Sequence, residues 1–362
     1  MIITLCGDVS VTQKNRHLWD HADAKTAFGS VCDLFQSSDR VIINLECALT
    51  ESETAIRKFG PNLKGPTKVA SILKDAGVTD CGLSNNHIYD FGRTGLNDTL
   101  DALDKAGLNY TGIGINEEDS RKDLIIQQNG KTVRVITVCE HEYSYAMDDF
   151  LGARPYDPYD TAEDIRVAKA NADYVIVMYH GGKEHCKYPS PRLRKLCRAM
   201  ITDGADLVLC QHSHCIGCTE EYKDGTIVYG QGNFHFIYPK IARAKDWNEG
   251  LAVRIDLNDK PQVDLIPVVV TETGIDLATG EEKEEILAGI KERSMDLHNG
   301  KWLEHWHAFC ESFRSTYEKA IADFANRGEL NIELFAHYLD CEAHTDVWRE
   351  LYPTFHKAKI SQ

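Results

Sequence analysis

Five separate places in the chain put a carboxylate, an amide or an imidazole directly after a short apolar run. They carry Asp8, Glu46, Asn86 with His87, His180, and His212 with His214. Carboxylate oxygen, amide oxygen and imidazole nitrogen suit a divalent Mn, Fe, Zn or Mg ion. In His212-Ser213-His214 the imidazoles stand at i and i+2, which share a face if the loop is extended. Taken singly, each group has a plainer reading. A histidine after a strand is ordinarily a hydrogen-bonded loop residue. An aspartate after Gly7 is a turn former or helix cap, and Glu46 alone is a solvated carboxylate. Together, five such strand ends predict one edge that binds a cation. The densest stretch is 84–92, where Asn85, Asn86, His87 and Asp90 offer two amides, an imidazole and a carboxylate to a metal or a phosphate.

The elements that must position these groups follow from the apolar pattern. Short buried strands are predicted at 2–6, 41–43, 78–83, 174–179, 207–209 and 227–229. Helical spacing is predicted over 26–36, 66–76, 95–106, 161–170 and 191–203. Asn129-Gly130 between two apolar runs reads as a type I′ hairpin turn. Residues 51–66 and 140–159 read as long loops. Alternation of strand and helix predicts a layered α/β fold, in which ligands bind at the carboxyl ends of strands. The alternating runs 251–255 and 263–270 look antiparallel, so the sheets are mixed. From 279 onward the pattern turns helical, at 281–293, 302–327 and 332–338. The expected organisation is one domain over 1–272 and a helical region over 279–362 packed on it. The aromatic run Trp302, Trp306, Phe309, Phe313 and Tyr317 is read as a packing face.

Composition narrows the function. The 362 residues carry a formal net charge of −16, and no basic stretch offsets it. That argues against nucleic acid as a partner and leaves room for a small anionic substrate whose charge a metal meets. The N-terminus, MIITLCGDVS, lacks a basic region followed by an apolar run. With no run long enough to cross a bilayer, the expectation is a cytoplasmic protein without a membrane partner. Cys6, Cys81, Cys139 and Cys210 lie in apolar runs, where reduced cysteine acts as a small hydrophobe. Cys215-x-x-Cys218 has no second pair nearby, so no structural zinc site is expected.

Gly7-Asp8-Val9, Asn44-Leu45-Glu46, Asn85-Asn86-His87-x-x-Asp90-x-Gly92, His180-x-Gly182-x-Glu184, His212-x-His214 and Gly232-Asn233-Phe234 occur in this order over residues 1–240. In them the chain resembles the CapA family of bacterial capsule-synthesis proteins linked to poly-γ-glutamate, a branch of the calcineurin-like metallophosphoesterases. The resemblance implies a four-layer α/β sandwich with one or two divalent ions at the strand ends. It implies that Asp8 and His214 bind a first ion, that Asn86, His180 and His212 bind a second, and that Glu46 stands where a bridging Asp is usual. It makes His87 the catalytic imidazole, oriented by Asp90. Departures from the pattern are Ser10 in place of a ligand His, Gln211, Gly230-Gln231, and His235 as an extra imidazole near the site.

Two chemistries then stay open: hydrolysis of a phosphoester, and hydrolysis of a γ-glutamyl amide with Glu184 or His87 as acid–base. Lys58, Lys64 and Arg93 are loop cations placed to clamp an anionic small molecule or polymer fragment, with Asn233 beside them, and the plain reading of each cation is a solvated side chain. Glu184-His185 is read either as a pair that orients His180 or as a surface pair. Two non-catalytic readings stand next to the hydrolase: a role in making an anionic capsule polymer, and a binding module with a degenerate metal site. An oligomer is compatible with all three.

Overall fold

The apolar runs become strands because each is buried on both faces, as parallel strands between covering layers are. The computed structural model describes residues 1–362 except 22, 238–246, 259–260, 272–273, 327–331 and 354–362. One sheet has eight strands. At its centre Ile2–Val9, Arg40–Leu45, Asp80–Gly82 and Asn109–Thr111 run parallel. Glu249–Asp256, Gln262–Thr271 and Gly274–Leu277 add antiparallel on the other side of Ile2–Val9. Asn233–His235 pairs with its end. A second sheet has six strands. In it Lys131–Cys139, Tyr174–His180, Leu207–Gln211 and Gly225–Val228 are parallel neighbours.

The two sheets pack face to face, and alternation along each strand decides which side chain goes where. Ile3, Leu5 and Ile42 point into an inter-sheet core with Val133, Ile176, Met178 and Leu209. Val41 and Ile43 point the other way, onto Val69, Leu73 and Leu96 of the outer helices. On the far side Val175, Val177 and Val208 meet Ile165, Leu193 and Met200. The result is the expected four-layer mixed α/β sandwich. All twelve cysteines are free and buried. Among the described residues no helix is long and apolar enough to cross a membrane.

Local predictions met two kinds of outcome. The hairpin is present, with Asn129 at φ 54° and Gly130 at φ 74°, as a type I′ turn requires. The single helix expected over 26–36 is two, Ala24–Phe28 and Val31–Gln36. They break at Gly29, which sits at φ 45° against the Asp276 carboxylate and Ile275 carbonyl. A long-range contact sets this break. Asp276 accepts from the Ser30 amide at 2.9 Å, and Ser30 Oγ accepts from the Leu277 amide at 3.0 Å. The strand Gly274–Leu277 lies beyond residue 272, yet completes the sheet.

Among the described residues four helices follow, Gly280–Asn299, Trp302–Ala325, Ile332–Asp340 and Glu342–Leu351. The fourth was not expected from the sequence. Ile286 and Ile290 enter the inter-sheet core. Trp306, Cys310, Tyr317, Tyr338, Val347 and Leu351 form their own cluster against Cys186.

Candidate metal centre

Parallel pairing delivers the chemical groups to one place. Asp8 is level with Asn44 in one sheet, and His180 is level with Gln211 in the other. Glu46, Asn86 and His212 lie just past the carboxyl ends of their strands. The site therefore forms where two sheets abut, rather than along the single edge that the sequence suggested. Asp8, Glu46 and Asn86 come from one sheet, and His180, His212 and His214 from the other.

Two groups of ligand atoms form there: Glu46, His180 and His212, and Asp8, Glu46 and His214. Within each group the atoms lie within 4.8 Å of one another. Glu46 belongs to both. Neither of its carboxylate oxygens has a hydrogen-bond partner, although the residue is fully buried. Burial, then the Asp8 carboxylate, pushes its carboxyl well above the usual range. Burial also moves Asp8 up to about 6, against the lowering effect of its bonds from Asn44 and the His212 amide. Burial drives His180 well below the ordinary imidazole value and His214 down to about 3, so both are neutral, as metal ligands must be.

A scaffold of amides holds these groups. Asn44 Nδ2 donates to Asp8 Oδ1 at 2.8 Å and lies 3.1 Å from His180 Nδ1. Asn85 Nδ2 donates to Asn44 Oδ1 at 3.1 Å and to the Leu45 carbonyl at 2.8 Å. Asn86 Oδ1 is 2.9 Å from His180 Nε2, and Asn86 Nδ2 donates to Glu142 at 2.7 Å. Asn233 Oδ1 is 2.9 Å from His214 Nδ1.

The His212–His214 loop is not extended. Both residues have left-handed backbone, φ 76° and 53°, a conformation that costs about 1–3 kcal/mol per non-glycine residue. The turn lets the His212 amide donate to Asp8 Oδ2 at 3.1 Å.

His87 Nδ1 is 2.7 Å from Asp90 Oδ2. The buried Lys58 ammonium pairs with Asp90 and lies 3.0 Å from His87 Nδ1. Burial, with Lys58 next, lowers the His87 imidazole. Although burial raises Asp90, His87 and Lys58 hold it below the usual carboxylate range. A cleft of about 320 Å3 opens on Asn86, His87, Glu142, Glu184 and His212, with Asp8, Glu46, His180 and His214 behind them. Burial raises Glu184 too, but Lys183, His212 and His214 outweigh it and keep its carboxyl low.

Of the cations proposed as anion clamps, only Lys58 lines the cleft. Lys64 instead donates to the Ser52 carbonyl at 2.6 Å and pairs with Glu53 at 2.7 Å, and its ammonium lies over the Phe91 ring. Arg93 is exposed on the first turn of the helix Gly92–Ala106, away from the cleft. Asn233 is fully buried, and it orients His214 rather than facing a ligand. His235 is not beside the metal-ligating groups. Its ring packs in the apolar core 4.5 Å from Trp19 and 5.5 Å from Phe28. Ser10 does not replace the missing ligand, since its hydroxyl donates to the Glu46 carbonyl at 2.9 Å.

Sequence reasoning missed Asn44, Glu142 and Lys183, and every residue of the C-terminal helices that reaches the cleft. Asn44 had a signal: it opens the Asn44-Leu45-Glu46 motif. Lys183 had one too, since it lies inside the His180-x-Gly182-x-Glu184 motif, whereas Glu142 and the C-terminal residues come close only through tertiary packing.

Comparison with known proteins places the chain. A family model described as bacterial capsule synthesis protein PGA_cap matches residues 2–238. The capsule biosynthesis protein CapA of Bacillus anthracis is 32% identical over 247 residues, covering 65% of this chain and 60% of that protein. The PGA biosynthesis protein CapA of Bacillus subtilis (strain 168) is 31% identical over 236 residues, covering 64% and 62%. The chain thus spans less than two thirds of the length of these curated relatives. A crystal structure of a hypothetical protein from Thermus thermophilus is similar with a TM-score of 0.46 and 16% identity, covering 73% of this chain and 99% of that one. The match over most of the two-sheet sandwich identifies the chain as a member of the bacterial capsule synthesis protein PGA_cap family.

Proposed function

We propose that the protein is a metal-dependent hydrolase acting on a γ-glutamyl amide or a phosphoester in a small anionic molecule or polymer fragment. The observation that carries this reading is Glu46, a buried carboxylate whose two oxygens have no hydrogen-bond partner and which is shared by two groups of ligand atoms. A carboxylate in that state is costly unless a cation meets it. Asp8, Glu46 and His214 would hold one divalent ion, and Glu46, His180 and His212, with the Asn86 amide beside them, a second. Ions bound there would supply Lewis-acid polarisation and charge neutralisation at the scissile group.

The chain's own groups handle protons and orientation. Asp90 holds His87 through Nδ1, which leaves Nε2 to carry a proton to the departing oxygen or nitrogen. Lys58 keeps Asp90 ionised and ties the loop 51–63 to the site. Glu184, held as a carboxylate, is the second group able to move a proton in amide hydrolysis. The names of the relatives, capsule and PGA biosynthesis, favour the amide. The sharing of one carboxylate by two ligand groups favours the phosphoester, because Asp8, Glu46 and His214 with His180 and His212 could hold two ions, which would supply the charge neutralisation an in-line displacement at phosphorus needs. A non-catalytic role in polymer synthesis is the second reading. It is favoured by Ser10, which leaves three protein groups at the Asp8 side.

Metal analysis of the full chain tests the reading first. Mn, Fe or Zn is expected near stoichiometry, and the Asp8→Ala, His180→Ala double variant should lose it. With Mn added, an aryl phosphodiester and a γ-glutamyl peptide are then assayed. His87→Ala should lower turnover about 10²–10⁴-fold with metal content unchanged. Bound metal with neither substrate cleaved would favour the non-catalytic reading.

A further inference from the structure

The cleft has a roof that lies outside the family match, which ends at residue 238. Phe313 and Tyr317 come from one C-terminal helix, and His337 and Tyr338 from the next. The volume of about 320 Å3 is at the small end for ligand cavities, ~300–1,000 Å3.

The roof meets the body of the protein on both sides. On one side the His337 ring stacks on Tyr143 at 5.4 Å and on Phe59 at 6.3 Å. Arg57 pairs there with Glu333, and His141 Nδ1 lies 2.7 Å from Glu342. On the other, Tyr188 stacks on His305 at 4.8 Å, and the Lys183 ammonium is 5.9 Å from the Phe313 ring centre. A polymer threaded through the cleft would have to break the contacts on one side or the other. A chain end or a small molecule enters with both sets intact.

Lys183 is the second cation of the cleft wall. Lys58 is already paired with Asp90. Lys183 makes no close ion pair among the described residues, although its charge lowers the neighbouring Glu184 carboxyl, and it stands on the same loop as His180 and Glu184. An ammonium against an aromatic face at the wall of a small cleft is suited to a carboxylate or phosphate of the ligand.

We propose that the C-terminal helices restrict the cleft to small anionic molecules and to the ends of an anionic chain, and that Lys183 takes an anionic group of the ligand. The choice of probe rests on the anionic substrate class inferred above, but binding can be read without turnover. The full chain is titrated with γ-glutamylglutamate, a short γ-linked oligomer and long poly-γ-glutamate. Calorimetry is run without metal and again with Mn.

The number of protein molecules bound per polymer chain should stay constant as the chain lengthens. A number that grows with length overturns the proposal. Lys183→Gln should weaken the dipeptide about 10–100-fold, and unchanged affinity removes Lys183 from it. His337→Ala, checked for native unfolding behaviour, should let long polymer bind along its length, and unchanged end-only stoichiometry in it overturns the role of the roof. Failure of wild type to bind any of the three ligands overturns the whole proposal. End-limited binding in a protein that takes up no metal would leave this proposal standing and sink the hydrolase reading.

Discussion

Glu46 is where the energetics of the site concentrate. Its carboxyl is raised by burial and by Asp8, and burial pushes Asp8 itself up to about 6. For an acid raised in the folded state the stabilising contribution is present below the unfolded value, about 4. It is lost as pH climbs through the folded value. The metal-free wild type should therefore weaken from pH 5 to pH 8. Glu46→Gln should show a shallower decline, read by urea unfolding at each pH, and should hold fewer ions than wild type. Lys58 poses the opposite case. Its ammonium is 1% exposed and its partner Asp90 0%. Lys58→Met leaves a buried carboxylate uncompensated, which should cost about 3–5 kcal/mol in denaturant unfolding.

At the scale of elements, one buried carboxylate ties the helix Glu342–Leu351 to the second sheet's loops. Asp346 accepts from Ser190 at 2.5 Å and from Arg192 at 2.8 Å, and Arg192 also reaches Glu140 at 2.6 Å. Asp346→Ala should lower stability by about 2–4 kcal/mol. Hydrogen exchange should show faster opening of Glu342–Leu351 than of the sheets. The break at Gly29 gives a second element-level test. Gly29→Ala places a methyl against Asp276 at φ 45°, so a loss of at least about 1–2 kcal/mol is expected in thermal unfolding.

Across the whole molecule, acid should act through histidines held neutral by burial. His214 is lowered to about 3, His235 to about 4, and His180 well below its ordinary value. For a base lowered in the fold the contribution is present above the unfolded value, about 6.5. It declines as pH falls from there toward the folded values. In metal-free Glu46→Gln protein, where the opposing Glu46 titration is removed, stability should thus fall as pH drops below about 6.5. Because ions bind the deprotonated ligands, Mn should raise the unfolding temperature more at pH 8 than at pH 5.5. At a free concentration about 100 times the dissociation constant the gain should be about 2.7 kcal/mol.

The layered fold was legible because parallel strands buried on both faces leave unbroken apolar runs, and the groups that follow those runs are local. Asp8, Glu46, Asn86, His180, His212 and His214 were found that way, and the structure gathers them. The break at Gly29 escaped notice because it is set by Asp276, far along the chain. Lys64 and Arg93 were misplaced for a related reason: composition tells that a loop is charged, but only backbone direction tells which way each side chain leaves it. The approach of two separate sheets and the roof of His337 and Tyr338 were decided by packing alone. An apolar helix face specifies that it must be buried, and the identity of the surface that buries it exists only once the chain has folded.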